Sequence, residues 1–184
     1  MSNFRDCIVS FIDLNNISDI LTRRSAKGVR LMRDLHELVS ERVVQLTAHE
    51  EVCFWQDSVL LLAFVDSTKA SFRKAMHDVT SLKNAIDALH PCHAICVKGQ
   101  SFPIPNIHCH RSRPRAIYLS ASSLAFSNCF EIEGKLKKRQ ADWYIDSRIA
   151  AKIVTRSPDY TDQITLLPAR NPPRDILVFR GSFV

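Results

Sequence analysis

The sequence predicts an α/β fold of the α+β type, in which helices pack on a mixed or antiparallel sheet. Two segments, 26–47 and 68–89, carry apolar residues at three- and four-residue spacing, as amphipathic helices do. Short apolar runs typical of buried strands lie before, between and after these segments. The resulting order is strand, helix, strand, strand, helix, strand. That order predicts a ferredoxin-like palm whose central sheet is flanked by helices.

The first half of the chain supplies the elements of this unit in sequence order. They are a strand over 7–14, a helix over 26–47, a hairpin of strands 51–56 and 58–65, a helix over 68–89 and a strand over 92–97. The first strand ends on Asp13, and Asp57 lies at the tip of the hairpin.

The second half adds elements that close the sheet. A turn at 98–100 leads to an edge strand or irregular arm over 101–108, because Pro103 and Pro105 do not suit a central strand. The remaining elements are a basic loop over 111–115, a helix over 123–138, a strand over 143–145, a helix over 147–155 that Asp146 caps, and strands over 164–167 and 175–180.

The composition favours one domain over residues 1–184. Of these 184 residues, 46% are hydrophobic and 24% are charged, which is ordinary for a globular protein. The longest apolar run, 59–65, is far shorter than the ~20 residues of a membrane span. The amino terminus shows no signal-peptide pattern, so the six cysteines are expected as reduced thiols of a cytoplasmic protein.

The charge and the glycine content restrict the kind of ligand. A net charge of +6 suits a polyanionic partner such as a nucleotide or a nucleic acid. Only four glycines, and the absence of both common glycine-rich motifs, argue against a glycine-rich phosphate loop. Cysteines and histidines recur over 92–110. Their spacing is looser than that of structural zinc sites, so a hairpin with a polar face is favoured and a metal site stays open.

Asp13 and Asp57 are the candidate catalytic acids. In a ferredoxin-like sheet their strands are neighbours, so the two carboxylates can converge at one edge. Carboxylates so close repel one another unless a cation lies between them, and Mg²⁺ bound to both and to a triphosphate is one solution. The alternative is purely structural: Asp13 would cap a helix that starts near Asn16, and Asp57 would fill a turn.

Four segments resemble class III nucleotidyl cyclases. Phe11-Ile-Asp-Leu-Asn-Asn-Ile-Ser18 resembles the family's F-x-D-I-x-G-F-T segment, and 51–59 resembles its second metal segment. The two aspartates are 44 residues apart, from position 13 to position 57, as is typical of that family. Residues 123–133 are similar to a helix of a bacterial variant, G-p-A-x-x-x-A-y-x-l-E, and 143–149 to the strand and helix that follow.

The resemblance implies cyclisation of a nucleoside triphosphate by a homodimer with sites at the subunit interface. Asp13, Asp57 and the backbone carbonyl of Leu14 would hold two Mg²⁺ or Mn²⁺ ions. The backbone amides of Asn16, Ile17 and Ser18 would contact the phosphates. Neither a membrane nor a nucleic acid is expected as a partner.

Several positions depart from the family pattern. Cys53 stands where the family has a purine-reading lysine, and Ser120 lies near the position of the lysine's acidic partner. The transition-state asparagine and arginine map to Ser127 and Glu131, with Asn128 one place away, so Asn128 is the third candidate catalytic residue. Candidates for the missing cation are Arg111, Arg113, Arg115 and Arg170, with Arg115 included in the predicted substrate site.

These departures resemble the pyrimidine cyclases of bacterial antiphage defence, the Pycsar type. That resemblance implies UTP, then CTP, as substrate, and cyclic UMP or cyclic CMP as an alarm signal. Trp55 would either stack on the base or pack under the hairpin. Because Glu131 replaces an arginine, a degenerate cyclase-like module that binds a nucleotide or a protein without catalysis is the alternative.

Overall fold

A computed structural model describes residues 4–48, 51–55, 57–101, 124–136, 141–153, 160–166 and 174–181. In chain order, the helices and strands in these ranges are β1 (Arg5–Leu14), α1 (Ile17–Arg23), α2 (Ser25–Arg42), β2 (Glu51–Trp55), β3 (Ser58–Phe64), α3 (Lys69–Leu89), β4 (Cys92–Ser101), α4 (Leu124–Leu136), β5 (Trp143–Asp146), α5 (Ser147–Ile153), β6 (Asp162–Leu166) and β7 (Arg174–Phe179).

The described strands form one mixed sheet in the order β2-β3-β1-β4-β5-β7-β6. Strand β1 is antiparallel to both β3 and β4, whereas β4 and β5 are parallel. The first four strands thus have the order of a ferredoxin-like unit, with β1 and β3 adjacent. The predicted α+β palm with a mixed central sheet is confirmed.

Both faces of the sheet are buried. Because successive side chains of a strand point to opposite faces, Ile8 and Ile12 of β1 belong to the apolar cluster that contains residues of α2 and α3. Val9 and Phe11 belong to the second cluster, which contains residues of α4. Asp13 follows the alternation of Val9 and Phe11, so it lies on the α4 face at the end of β1.

The structure corrects two predicted boundaries. Strand β4 continues through 98–100, where the sequence predicted a turn, because β1 pairs with it as far as the Arg5–Ser101 register. Helix α2 ends at Arg42 and a 3₁₀ turn, Val43–Gln45, follows, whereas the predicted helix reached residue 47. The predicted helix cap is present, since the Asp146 carboxylate accepts a hydrogen bond from the Arg148 backbone N–H at 3.0 Å.

The predicted arm beyond Ser101 and the basic loop over 111–115 lie outside the described residues. In the part of the chain that the structure describes, no helix is long and apolar enough to cross a bilayer.

Gly99 allows β4 and α4 to approach closely. A Cβ atom at this position would lie 2.6 Å from the Cβ of Ala125 in α4. We expect Gly99→Val to lower the free energy of unfolding by about 1–3 kcal/mol, because α4 must move off the sheet. Gly134→Ala is the matched control: a Cβ there meets nothing within 4 Å, so it should stabilise α4 by about 0.5–1 kcal/mol. Urea denaturation measures both, and equal stability of the two variants would contradict this packing.

Candidate active site

Asp13 and Asp57 lie at the same end of the sheet. Asp13 pairs with Ser58 of β3 on one side and with His93 of β4 on the other. Asp57 directly precedes Ser58, and its backbone carbonyl accepts a hydrogen bond from the Leu14 N–H at 3.4 Å. The β2–β3 turn is therefore tied to the end of β1, next to Asp13.

The environment of this pair disfavours two negative charges. The pKa of Asp13 is raised to about 7, chiefly by burial. The hydrogen bond that its Oδ1 accepts from Ser58 Oγ at 2.5 Å lowers this pKa, whereas the charges of Asp57 and Glu133 raise it. Burial also raises the pKa of Asp57. Within the described ranges, neither aspartate forms an ion pair with a lysine or arginine. Among the described residues, the pair therefore has no lysine or arginine as a countercharge.

A divalent cation fits this pair. Carboxylate oxygens are the ligands that Mg²⁺ prefers, and Mg²⁺ is commonly held by one or two carboxylates together with substrate phosphates and water. Among the residues that the structure describes, no group of three or more histidine, cysteine, aspartate or glutamate side chains is arranged to hold an ion. The two aspartates would thus need a further ligand from outside the pair, such as a triphosphate.

The turn after Asp13 is held rigidly by the connection between α3 and β4. The Asn15 N–H donates to the Pro91 carbonyl at 2.9 Å, and His90 Nε2 lies 2.8 Å from the Asn15 carbonyl oxygen. Asn16 then adopts the left-handed conformation, with φ 60° and ψ 25°, and α1 begins at Ile17. Asn16 stands at the N-cap position without a side-chain hydrogen bond, and the Asp13 side chain bonds to Ser58 instead. Asp13 is therefore not the cap of α1.

His93 faces Asp13 from the neighbouring strand. Its Nε2 lies 4.0 Å from Asp13 Oδ2, and its Nδ1 lies 2.9 Å from Asn15 Oδ1. Burial lowers the pKa of His93 to about 4, and the charge of Lys83 acts in the same direction. The sequence patterns did not assign His93 to the acid site, because only the β1–β4 register brings it there. Glu133 was also missed, because the effect of its charge on the Asp13 pKa depends on the packing of α4 on the sheet.

Among the described hydrogen bonds and ion pairs, none joins the predicted residues of α4 to Asp13 or Asp57. Asn128 is buried, and its Nδ2 has no hydrogen-bond partner in the described part of the molecule. Glu131 pairs with Lys135 at 2.8 Å along the helix, and Ser127 is exposed.

The predicted base-reading residues lie on β2, at the edge of the described sheet. Cys53 is half-buried opposite Leu60, and burial raises the pKa of its thiol. Trp55 pairs with Ser58 through the backbone, and its side chain lies outside what the structure describes. Five further predicted residues lie entirely outside the described ranges: Arg111, Arg113, Arg115, Ser120 and Arg170.

The Cys/His pattern over 92–110 is divided between the two sheet faces where the structure describes it. Cys92 belongs to the cluster under α2 and α3, and its thiol lies 3.3 Å from a carboxylate oxygen of Asp87. His93 points to the opposite face, toward Asp13. These two neighbours therefore do not share a site, and residues 102–110 lie outside the described ranges.

Solved structures of cyclase domains share this fold. The adenylyl cyclase CyaB from P. aeruginosa aligns at a TM-score of 0.62 and 10% identity over 98% of this chain and 96% of that chain. The guanylyl cyclase Cya2 aligns at 0.55 and 11% over 98% and 95%. The guanylate cyclase domain from Catenaria anguillulae, solved with GTP, aligns at 0.51 and 12% over 97% and 98%.

The likeness to these enzymes is structural. No protein-family model matches the sequence, and no curated protein matches it either. At identities of 10–12%, the alignment establishes that the chain shares the fold of these adenylyl and guanylyl cyclase structures.

Proposed function

We propose that the protein is a metal-dependent nucleotidyl cyclase, which converts a nucleoside triphosphate to a 3′,5′-cyclic nucleotide and pyrophosphate. The observation that carries this proposal is the partly buried pair of Asp13 and Asp57, which lies at the end of β1 with no described lysine or arginine to neutralise it. The fold shared with adenylyl and guanylyl cyclases supports it.

The reaction is an intramolecular displacement at the α-phosphorus. The ribose 3′-oxygen forms a bond to that phosphorus, the bond to the oxygen that bridges to the β-phosphorus breaks, and pyrophosphate leaves with the electron pair. The proton of the 3′-hydroxyl passes to solvent. Bound Mg²⁺ or Mn²⁺, two per site, would activate the hydroxyl and neutralise the charge on the leaving group.

The chain contributes the framework for these ions. Asp13, Asp57 and the Leu14 carbonyl would be the ligands, and the Ser58 hydroxyl fixes one oxygen of Asp13. The bonds from the α3–β4 connection to Asn15 hold the turn that leads to Asn16, Ile17 and Ser18, the predicted phosphate contacts. Such prior positioning lowers the entropic cost of reaching the transition state.

A homodimer would complete the site. We infer that α4 of the partner subunit supplies Asn128, whose Nδ2 has no hydrogen-bond partner among the described residues and is a donor suited to a phosphate oxygen. Arg115 is the proposed source of the positive charge that the family takes from the arginine replaced here by Glu131.

The proposed base is a pyrimidine, with UTP preferred over CTP. Cys53 offers only a weak hydrogen-bond donor where the family's purine-reading lysine would stand, and it is half-buried in β2. Trp55, two residues along the same strand, is proposed to contact the substrate. An alarm signal against phage is the role that the resemblance to Pycsar-type cyclases predicts.

A degenerate module that binds a nucleotide or a protein is the second candidate. Glu131 favours it, because this acid occupies the position of a transition-state arginine and its described partner is Lys135 of the same helix. Loss of that positive charge without replacement would leave binding intact and remove turnover.

Incubation with each of the four ribonucleoside triphosphates and Mn²⁺ or Mg²⁺ separates the two candidates. Mass spectrometry should detect cyclic UMP as the main product with the cyclase, and no cyclic product with Asp57→Ala. A folded protein that binds triphosphates but forms no cyclic product from any of them would establish the module instead.

Base preference is expected to depend on residue 53. Cys53→Lys should lower the ratio of UTP to ATP turnover at least about tenfold, because a hydrogen bond from a charged donor contributes about 1.5–3 kcal/mol and suits a purine ring acceptor. Cys53→Ser is the matched control and should keep the wild-type ratio. A competition assay with both nucleotides measures the ratio, and an unchanged ratio in Cys53→Lys would show that β2 does not read the base.

A further inference from the structure

We propose that His93 is a nitrogen ligand for one of the divalent ions, which it would hold together with Asp13. The inference rests on the proposed function, since it concerns the same metal site. It adds an imidazole to a ligand set that the resemblance described as oxygen alone, and it predicts a preference for Mn²⁺ over Mg²⁺.

Two potential metal-ligand atoms, one from His93 and one from Asp13, lie close enough together to bind the same ion. His93 Nε2 and Asp13 Oδ2 are 4.0 Å apart, and two ligands about 2.1 Å from a shared ion span at most about 4.2 Å. Nε2 is buried and has no hydrogen-bond partner in the described structure. A buried polar atom left without a partner costs free energy, and a cation between the two groups would remove that cost.

The other ring nitrogen fixes which atom faces the ion. His93 Nδ1 lies 2.9 Å from Asn15 Oδ1, an acceptor, so Nδ1 carries the proton and Nε2 presents its lone pair toward Asp13. Metal-binding histidines almost always donate their second ring N–H in this way, which sets their tautomer and orientation. The backbone N–H of Asn15 in turn donates to the Pro91 carbonyl at 2.9 Å, which ties Asn15 to the α3–β4 connection.

No described group around the ring bonds to its Nε2. Tyr144 and His93 form an edge-to-face ring contact, with centroids 6.0 Å apart and planes at 85°. Lys83 acts on His93 only through its charge, and its ammonium group is hydrogen-bonded to Asp87. Imidazole suits transition metals better than it suits Mg²⁺, which prefers oxygen ligands. We therefore expect the His93 ligand to favour Mn²⁺.

Pulsed electron paramagnetic resonance with Mn²⁺ alone tests the inference without nucleotide. The wild-type spectrum should show a ¹⁴N coupling from a directly bound imidazole. His93→Gln should lose the coupling and weaken Mn²⁺ binding at least about tenfold, and Mg²⁺ binding less. His77→Gln is the matched control: His77 is exposed on α3, which packs on the face of the sheet opposite to Asp13, so that variant should keep the nitrogen coupling.

Three results would overturn the inference: no Mn²⁺ binding, bound Mn²⁺ without nitrogen coupling in the wild type, or coupling that persists in His93→Gln. The second would indicate a water between the ring and the ion. The product assay judges the cyclase proposal separately. Nitrogen coupling without any cyclic product would uphold the ligand and refute the cyclase, whereas product without coupling would do the reverse.

Discussion

Asp57→Asn is expected to abolish cyclic nucleotide formation and to raise the melting temperature of the metal-free protein. The variant removes a proposed metal ligand, so turnover should fall at least about a thousandfold. A loss of this size corresponds to the several kcal/mol by which a catalytic ion stabilises charge in the transition state. Without metal it also removes one of two partly buried like charges, since Asp57 raises the pKa of Asp13. Each kcal/mol added to the free energy of unfolding should raise the melting temperature by about 2–4 °C in a chain of this size.

The opposite signs of the two effects distinguish a metal site from a structural turn. Differential scanning fluorimetry should show that Mn²⁺ stabilises the wild type and not the variant. Asp34→Asn is the matched control, because Asp34 lies on α2 and pairs with its neighbour Arg33; activity and metal response should stay at the wild-type level. If Asp57→Asn instead lowers the melting temperature and retains turnover, Asp57 is a turn residue and not a ligand.

Mixing two inactive variants should restore activity. Asp57→Asn disables the half of the site that binds the metal ions, and Asn128→Ala disables the half that α4 supplies. Loss of a transition-state hydrogen-bond donor should lower turnover about a hundredfold or more. When the site lies between two symmetric subunits, each mixed dimer regains one intact site, so random exchange of equal amounts should recover about a quarter of the wild-type rate.

The matched control is a mixture of Asp13→Asn with Asp57→Asn. Both changes affect the same half-site, so no mixed dimer regains an intact site. Subunit exchange is verified by size-exclusion chromatography of differently tagged chains. If exchange occurs and Asn128→Ala with Asp57→Asn stays inactive, the site does not combine residues of two subunits in the proposed way.

Local patterns predicted most of the elements because each depends on residues close in sequence, but the short helix α1 (Ile17–Arg23) was absent from the predicted order. The apolar spacing of 68–89 gave α3 (Lys69–Leu89) almost residue for residue. The turn expected at 98–100 was wrong because Gly99 suggested a chain reversal, whereas this glycine serves the close approach of α4 to β4. That contact joins residues distant in sequence, and periodicity does not reveal it.

In the candidate site too, some features could be predicted from local patterns and others depend on contacts between residues distant in sequence. The adjacency of Asp13 and Asp57 follows from strand order, which the sequence could predict. The position of His93 beside Asp13 required the β1–β4 register, and the influence of Glu133 required the packing of α4 on the sheet. The order of helices and strands along the chain predicts which strands are neighbours. Strand register and helix packing, by contrast, depend on side-chain contacts between residues distant in sequence.

The most direct test is an anomalous difference map from crystals grown with Mn²⁺ and a non-cyclisable uridine triphosphate analogue. We expect manganese peaks bound by carboxylate oxygens of both Asp13 and Asp57, beneath the triphosphate. A triphosphate bound elsewhere, or density that shows both carboxylates bonded only to protein groups and no manganese between them, would contradict the proposed metal site.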